Sequence, residues 1–189
     1  METYIALLRG INIGKKRVKM LDLVRIFESL GLKEVQTYIQ SGNIIFNSEL
    51  DEGTLVECLT DKIKAHYGFD VPVMLRTGEQ FRKILVNCPF TKAEIEHATK
   101  LGITGEYEAA YVSFLPSEIT EQEFSSLTKY IEKGNQCTYN KREVYLLLTE
   151  SIRTAKVAIH LKRLGVEGTI RNFNTINKLI EILDNRIYT

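Results

Sequence analysis

The chain has 189 residues, with 25 Lys and Arg against 24 Asp and Glu, which gives a formal net charge of +1. This balance argues against a uniformly basic nucleic-acid binder, and 44% apolar and 26% charged residues are ordinary for a soluble globular protein. No apolar run approaches the length of a membrane span, and the first residues lack the pattern of a signal peptide. We therefore expect a cytoplasmic protein that does not enter the membrane.

The cysteines and histidines show neither a disulfide framework nor a metal motif. The three cysteines are an odd number and lie far apart, and the three histidines are not at ligand spacing. We predict reduced thiols, no metal site and no cofactor. The residues concerned are Cys58, Cys88, Cys137, His66, His97 and His160.

The first part of the chain alternates β-rich runs with helical apolar stripes. A helical stripe recurs at i, i+3, i+4 and i+7, whereas the strands are short apolar runs bounded by turn residues. In chain order we predict a strand at Tyr4–Arg9, a helix from Met20 to Leu30 ended by Gly31, strands at Val35–Gln40 and Ile44–Asn47, a helix capped by Asp51 and ended by Gly68, and a strand at Val71–Arg76.

The same order of elements begins again after a connector. Two capping-box patterns, Thr77 with Gln80 and Thr91 with Glu94, predict two connector helices. Beyond them we predict strands at Ala109–Leu115, Gln136–Tyr139, Glu143–Thr149 and Gly168–Arg171, a helix from Thr120 ended by Gly134, a helix at Thr154–Leu164, and a final helix capped by Asn174.

The duplicated order β-α-β-β-α-β predicts an α+β protein built from two tandem ferredoxin-like subdomains. We place the first subdomain at residues 1–76, the helical connector at 77–106, and the second subdomain with the final helix at 107–189.

The loop at residues 9–19 follows the first predicted strand and is the most distinctive stretch of the sequence. It contains five basic residues, and no Asp or Glu occurs between Thr3 and Leu21. Its two glycines and Asn12 let the backbone turn and present N–H groups outward. These features favour a site for an anion.

The predicted topology brings a second polar segment to this loop. In a right-handed split βαβ unit, the end of the first strand and the turn between strands two and three lie at one edge of the sheet. Charged, amide and hydroxyl groups would converge there and suit a phosphate or carboxylate. The alternative is that the Ser, Gly and Asn residues only build the turn and the loop. The predicted ligand-binding residues at this edge are Arg9, Asn12, Lys19, Gln40, Ser41 and Asn43.

Several motifs resemble a bacterial family known only as a domain of unknown function, number sixteen-ninety-seven. They are Ala6–Gly14, Lys19-Met20, Gly31, Thr37–Phe46 and Thr169–Thr175. The chain departs from the family pattern at Lys15, where glycine is usual, and at Phe173, where tryptophan is usual. The resemblance implies two ferredoxin-like subdomains and no established activity.

The resemblance also directs attention to Arg171 and Asn172, which precede a predicted helix N-terminus, a place where anions bind. We add both residues to the predicted ligand-binding set. The alternative is that Asn172 and Asn174 are helix caps and that Arg171 pairs with a glutamate.

Three functions are compatible with the sequence. The leading hypothesis is binding of a small anionic or phosphorylated ligand at the loop edge. The first alternative is non-sequence-specific nucleic-acid binding, although the third strand lacks the aromatic pattern of RNA-recognition modules and offers only Phe46. The second is an enzyme in which Ser41 or Lys19 acts on a bound group, but no general base is identifiable. The loop also lacks the spacing of a nucleotide-binding P-loop.

Overall fold

The computed structural model describes residues 1–14, 16–102, 108–132, 134–163 and 168–187. It is an α+β structure with two four-stranded antiparallel sheets and, over the described residues, seven helices. The chain divides into two compact units, Met1–Lys83 with Leu179–Thr189, and Ile84–Lys178.

The first unit contains one sheet with two helices between its strands. Its elements are β1 (Glu2–Leu8), α1 (Met20–Ser29), β2 (Lys33–Tyr38), β3 (Asn43–Ser48), α2 (Glu52–Tyr67) and β4 (Val73–Thr77). The strand order across the sheet is β2-β3-β1-β4, and every neighbouring pair is antiparallel. Since β3 lies between β1 and β2 and is antiparallel to both, β1 and β2 run in the same direction.

The core of the first unit lies between one face of this sheet and the two helices. Helix α2 buries Leu55, Leu59 and Ile63, the predicted stripe, because residues three and four apart share one face of a helix. It begins at Asp51, whose side chain accepts a hydrogen bond from Thr54 N, and it ends at Gly68 in the left-handed conformation, as predicted.

Two short helices, α3 (Gly78–Val86) and α4 (Lys92–Leu101), follow the first sheet. Both predicted capping boxes are confirmed. Gln80 N donates to Thr77 Oγ1 while Gln80 Oε1 accepts from Thr77 N, and Thr91 with Glu94 makes the same reciprocal pair.

The second unit repeats the order of elements. It contains β5 (Ala110–Phe114), α5 (Glu121–Thr128), β6 (Gln136–Asn140), β7 (Glu143–Leu147), α6 (Lys156–Arg163) and β8 (Thr169–Asn172), followed by α7 (Phe173–Ile187). Its sheet has the order β6-β7-β5-β8, again with antiparallel neighbours. The core contains Leu127, Val157 and Leu161, which the periodicity predicted as inward-facing.

Two helix boundaries differ from the prediction. Helix α5 ends at Thr128 rather than at Gly134. Beyond Thr128 the backbone forms turns with hydrogen bonds between residues three apart, because Tyr130 N donates to Leu127 O and Ile131 N donates to Thr128 O. The final helix is capped by Asn172 rather than by Asn174, since Asn172 Oδ1 accepts from Thr175 N at 2.9 Å. The predicted helical residue Leu164 lies outside the described residues.

Candidate functional site

The loop between β1 and α1, residues 9–19, is here called the basic loop. At the start of this loop, Arg9 N donates a hydrogen bond to Pro72 O at 3.0 Å. The backbone is left-handed at Gly10, Asn12 and Gly14, with φ of 70°, 57° and 60°. Asn12 N then donates to Lys16 O at 2.7 Å, so the tip of the loop is a closed turn. Lys15, one of the five basic residues of this loop, lies outside the described residues.

The side chain of Asn12 joins the basic loop to the turn between β2 and β3. Its Nδ2 donates to Gln40 O at 2.8 Å, and its Oδ1 accepts from Val18 N at 2.9 Å. The amide therefore bonds through both its donor and its acceptor group, and it fixes the position of the loop. A role in ligand binding stays a prediction for this residue.

The four residues Ile39–Gln40–Ser41–Gly42 form the turn between β2 and β3, here called the hairpin turn. Leu8 N donates to Gly42 O at 2.8 Å, which attaches this turn to the end of β1. Asn43 is fully buried, and its Nδ2 donates to Tyr38 O and to Ser41 Oγ. Asn43 thus holds the shape of the turn, whereas Gln40 is exposed and Ser41 is partly exposed.

The basic loop and the hairpin turn together form one edge of the first unit, here called the basic edge. The structure brings these two segments together, although they are separated by about one helix and one strand of chain. Of the predicted residues, Arg9, Asn12 and Lys19 belong to the loop, while Gln40, Ser41 and Asn43 belong to the turn and the first residue of β3.

One cation of the loop has a structural role. Lys16 Nζ donates to Asp70 O at 3.2 Å and lies 5.1 Å from the centre of the Phe69 ring. The carboxylate of Asp70 is engaged by Lys64 at 2.8 Å, and this hydrogen bond lowers the pKa of Asp70. Lys16 therefore ties the loop to the segment that follows α2.

The other described cations of the loop, unlike Lys16, do not bind another part of the described chain. Over the described parts of the chain, the side chains of Arg9, Arg17 and Lys19 make no ion pair or hydrogen bond. Arg17 and Lys19 are exposed and Arg9 is partly exposed. Arg17 was not among the predicted binding residues, although its position among the five basic residues of the loop could have identified it. Among the described residues, these three side chains are the cations of the basic edge that have no such partner.

The two remaining predicted residues, Arg171 and Asn172, belong to the second unit. Arg171 Nη1 donates to Thr169 Oγ1 at 2.7 Å and to Ile170 O at 2.9 Å. Burial lowers the pKa of Arg171 to about 10. Asn172 caps α7, which is the structural alternative considered for it from the sequence.

Sequence reasoning missed Glu108, which lies just before β5 and supplies a carboxylate to the first turn of α7. Asn174 Nδ2 donates to Glu108 Oε1 at 2.5 Å, whereas Glu108 Oε2 is buried and has no hydrogen-bond partner among the described residues. The sequence predicted that this helix N-terminus binds an anion, and the chain provides one itself. No local pattern in the sequence predicts a hydrogen bond between two residues 66 positions apart.

Glu108 gives the fold a specific pH dependence. Burial raises the pKa of Glu108 above its ordinary value of 4.5, and the hydrogen bond from Asn174 only partly opposes this effect. The folded state therefore holds this proton more tightly than the unfolded state. The contribution of Glu108 to stability is complete below pH 4.5 and declines as the pH rises through the folded-state pKa.

We expect Glu108→Gln to gain stability relative to the unsubstituted protein as the pH rises from 4 to about 7, because the amide never has to ionise. Urea unfolding across this range measures the difference. The control is Glu57→Gln at an exposed position on α2. It measures how the loss of one surface carboxylate changes the free energy of unfolding, and this change is subtracted from that of Glu108→Gln. A stability difference that stays constant or shrinks with rising pH would contradict the assignment.

A groove between α1 and α2, with a volume of about 440 Å³, was also missed. Over the described residues, the side chains of Arg25 and Lys62 in its wall make no ion pair. Asp22 is engaged by the Tyr67 hydroxyl at 3.4 Å and lies 4.0 Å from His66. Helical periodicity does not reveal which two helices will pack together, so this groove could not be predicted from the sequence. Its lining residues are Asp22, Arg25, Ile26, Ser29, Lys62, Ala65 and His66.

Metal ligands and thiols are not clustered in the part of the chain that the structure describes. No group of three or more His, Cys, Asp or Glu side chains there could hold a metal ion. Cys58, Cys88 and Cys137 are free and partly exposed, and burial raises the pKa of Cys137 to about 12. None of the described helices has both the length and the apolar character that crossing a membrane requires.

Comparison with known proteins agrees with the motifs. A family described as "Protein of unknown function (DUF1697)" matches residues 1–145. Among solved structures, the chain is similar to the conserved bacterial protein SP0830 from Streptococcus pneumoniae, with a TM-score of 0.74 and 28% identity over 97% of this chain and 99% of that chain. No curated protein matches. The family match covers well over half of the 189 residues and confirms the resemblance, so the chain belongs to the family of proteins of unknown function DUF1697.

Proposed function

We propose that the first unit binds a small anionic or phosphorylated ligand at the basic edge. Arg9, Arg17 and Lys19 supply positive charge, and the exposed amide of Gln40 and the hydroxyl of Ser41 orient the ligand. The observation that carries the proposal is the group of cations that make no ion pair with any described residue, on a loop that the Asn12–Gln40 hydrogen bond joins to the hairpin turn. Preorganised donors lower the cost of binding, because they need not be ordered by the ligand.

The charge distribution around this edge supports the proposal. No acid occurs between Thr3 and Leu21, and none occurs between Val35 and Ser48. The acids that flank the loop are engaged, since Asp70 pairs with Lys64 and Asp22 accepts from Tyr67. An approaching anion therefore meets a positive field although the whole chain is nearly neutral.

Asn12 and Asn43 enter the proposal as residues that position the site, because their amides already bond within the loop and the turn. Arg171 and Asn172 are not assigned to this ligand. Arg171 donates to Thr169, and Asn172 caps α7.

We further infer that each unit is ferredoxin-like. The support is the element order β-α-β-β-α-β with the strand order 2-3-1-4 in the first sheet and the corresponding order in the second. This topology places the end of β1 and the β2–β3 turn at one edge, which is the reason two segments distant in sequence can form one site.

Nucleic-acid binding of the RNA-recognition type receives less support. Such modules stack bases on aromatic side chains of an exposed sheet face. The ring of Phe46 is fully buried, with its centre 5.2 Å from that of Phe27 and 5.8 Å from that of Tyr4. It is therefore a core residue of the first unit.

We expect Arg9→Ala and Lys19→Ala each to weaken binding of inorganic phosphate or pyrophosphate by about tenfold, the effect of losing one charge-assisted hydrogen bond. Calorimetric titration at constant ionic strength measures this, with chloride as the compensating anion.

The matched control is Lys33→Ala, which removes the same charge from an exposed position at the other end of the β2–β3 hairpin. An equal loss in this control would show a general charge effect and refute the site. A loss on Arg25→Ala or Lys62→Ala instead would assign the anion to the α1–α2 groove. If neither phosphate binds, but a single-stranded RNA is retained with a steep salt dependence, the function is nucleic-acid binding.

A further inference from the structure

Ile39 in the hairpin turn has an unusual backbone conformation for its residue type. Its φ is +50°, in the left-handed region, where a β-branched side chain is strained. Its side chain is also 50% exposed, so the strain is not offset by full burial. Asn or Gly at this position would satisfy the turn at lower cost. A strained and exposed apolar side chain is a reason to look for a function at that position.

A second exposed isoleucine lies in the basic loop. Ile13 is 71% exposed and sits at the tip of the loop, between Asn12 and Gly14 in left-handed conformations. The tip is closed by Lys16 N donating to Ile13 O at 3.2 Å, so the side chain is presented by a defined turn.

The structure fixes these two isoleucines on neighbouring segments. Asn12 Nδ2 donates to Gln40 O at 2.8 Å, and Ile13 and Ile39 are the chain neighbours of that hydrogen-bonded pair. The side chains of Arg17 and Lys19, which make no ion pair over the described residues, are on the same loop. The basic edge thus offers apolar surface together with positive charge.

We propose that the ligand of the basic edge is an amphiphilic anion, a phosphate or carboxylate that carries an apolar group, and that Ile13 and Ile39 contact this apolar group. The inference rests on the proposed anion site and deepens it. The anionic group lies against the cations, and the apolar group covers the exposed isoleucines, whose removal from water favours binding in proportion to the area buried. Inorganic phosphate alone would leave that surface exposed.

The test compares methyl phosphate with hexyl phosphate by calorimetric titration at constant ionic strength. Both have the same anionic group, and they differ only in the apolar chain. We expect hexyl phosphate to bind about tenfold more tightly to the unsubstituted protein. Ile39→Asn and Ile13→Ser should remove most of this difference and change the affinity for methyl phosphate far less than the affinity for hexyl phosphate.

Ile39→Asn also separates a binding role from a structural one. Asparagine accepts the left-handed conformation, so this variant should be at least as stable to urea as the unsubstituted protein while it loses the preference for hexyl phosphate. The matched control is Leu50→Asn, which removes an apolar side chain that is 44% exposed beyond the far end of β3. This control should keep the preference.

The outcomes distinguish the two proposals. Equal affinities for the two phosphates would overturn the amphiphilic ligand and leave the anion site standing. Binding of neither ester, together with no binding to vesicles that contain phosphatidic acid, would remove the anion site itself. A free phosphate ester and a lipid headgroup share this chemistry. Binding that depends on Ile39 and is seen only with phosphatidylcholine vesicles containing phosphatidic acid would assign the lipid form, and binding of hexyl phosphate would assign the soluble one.

Discussion

Phe46→Ala is expected to lower the free energy of unfolding by about 3–5 kcal/mol, as truncation of a large buried aromatic side chain does. Phe46 is completely buried on β3, stacks on Tyr4 and makes an edge contact with Phe27. Its removal loses the free energy gained by transferring the ring out of water, and the cavity left behind destabilises the folded state further. Urea unfolding followed by circular dichroism measures the loss.

The control Phe46→Leu keeps most of the volume and should cost less than half as much, because apolar replacements of similar size are tolerated best. If Phe46 were instead a platform for bases, Phe46→Ala would abolish RNA retention and leave stability nearly unchanged. That result would contradict its assignment to the core and restore the RNA-binding alternative.

Gly42→Ala is expected to destabilise the protein by roughly 3 kcal/mol, the sum of a left-handed backbone penalty and a steric clash. The φ of Gly42 is 72°, which a Cβ disfavours. A Cβ there would also lie 2.6 Å from Ile11 Cδ1 and 2.8 Å from Leu8 Cβ, so the hairpin turn would have to move away from β1. The same movement would break the hydrogen bond from Leu8 N to Gly42 O.

Gly31→Ala separates the two parts of this effect. Gly31 has a similar φ of 78°, but a Cβ there would meet nothing within 4 Å. We expect this control to cost only about 1 kcal/mol, the backbone part alone. Equal losses for the two variants in urea unfolding would show that the hairpin turn is not packed tightly against β1.

The two glycine positions also separate stability from binding. If the hairpin turn supplies part of the ligand site, Gly42→Ala should weaken phosphate binding at temperatures where the protein remains folded, because Gln40 and Ser41 would shift. Gly31→Ala, which lies between α1 and β2, should leave the affinity unchanged.

Several features of the site have more than one reading in the sequence, and the contacts decide between them. Asn12, Ser41 and Asn43 could have been ligands or turn builders. In the structure the amides of Asn12 and Asn43 bond to main-chain and side-chain groups of the loop and the turn, so at least part of their role is architectural. The cations Arg9, Arg17 and Lys19 have no such bonds among the described residues, and they carry the binding hypothesis.

The sequence by itself determined the elements whose causes are local. Helix α2 was predictable because the cap at Asp51 and the stop at Gly68 depend on residues within one turn. The capping boxes at Thr77 and Thr91 were predictable for the same reason. The end of α5 was not, because its last turns are decided by how Ile131 packs against the core of the second unit.

Only the tertiary structure decided which distant groups meet. The handedness of a βαβ crossover is general enough to predict that the basic loop and the hairpin turn share an edge, but the Asn12–Gln40 hydrogen bond depends on the detailed path of both segments. The carboxylate of Glu108 at α7 and the groove between α1 and α2 depend on long-range packing, which leaves no periodic or local signature in the chain. Local chemistry fixes caps and turns, whereas contacts between remote residues are set by how whole elements pack.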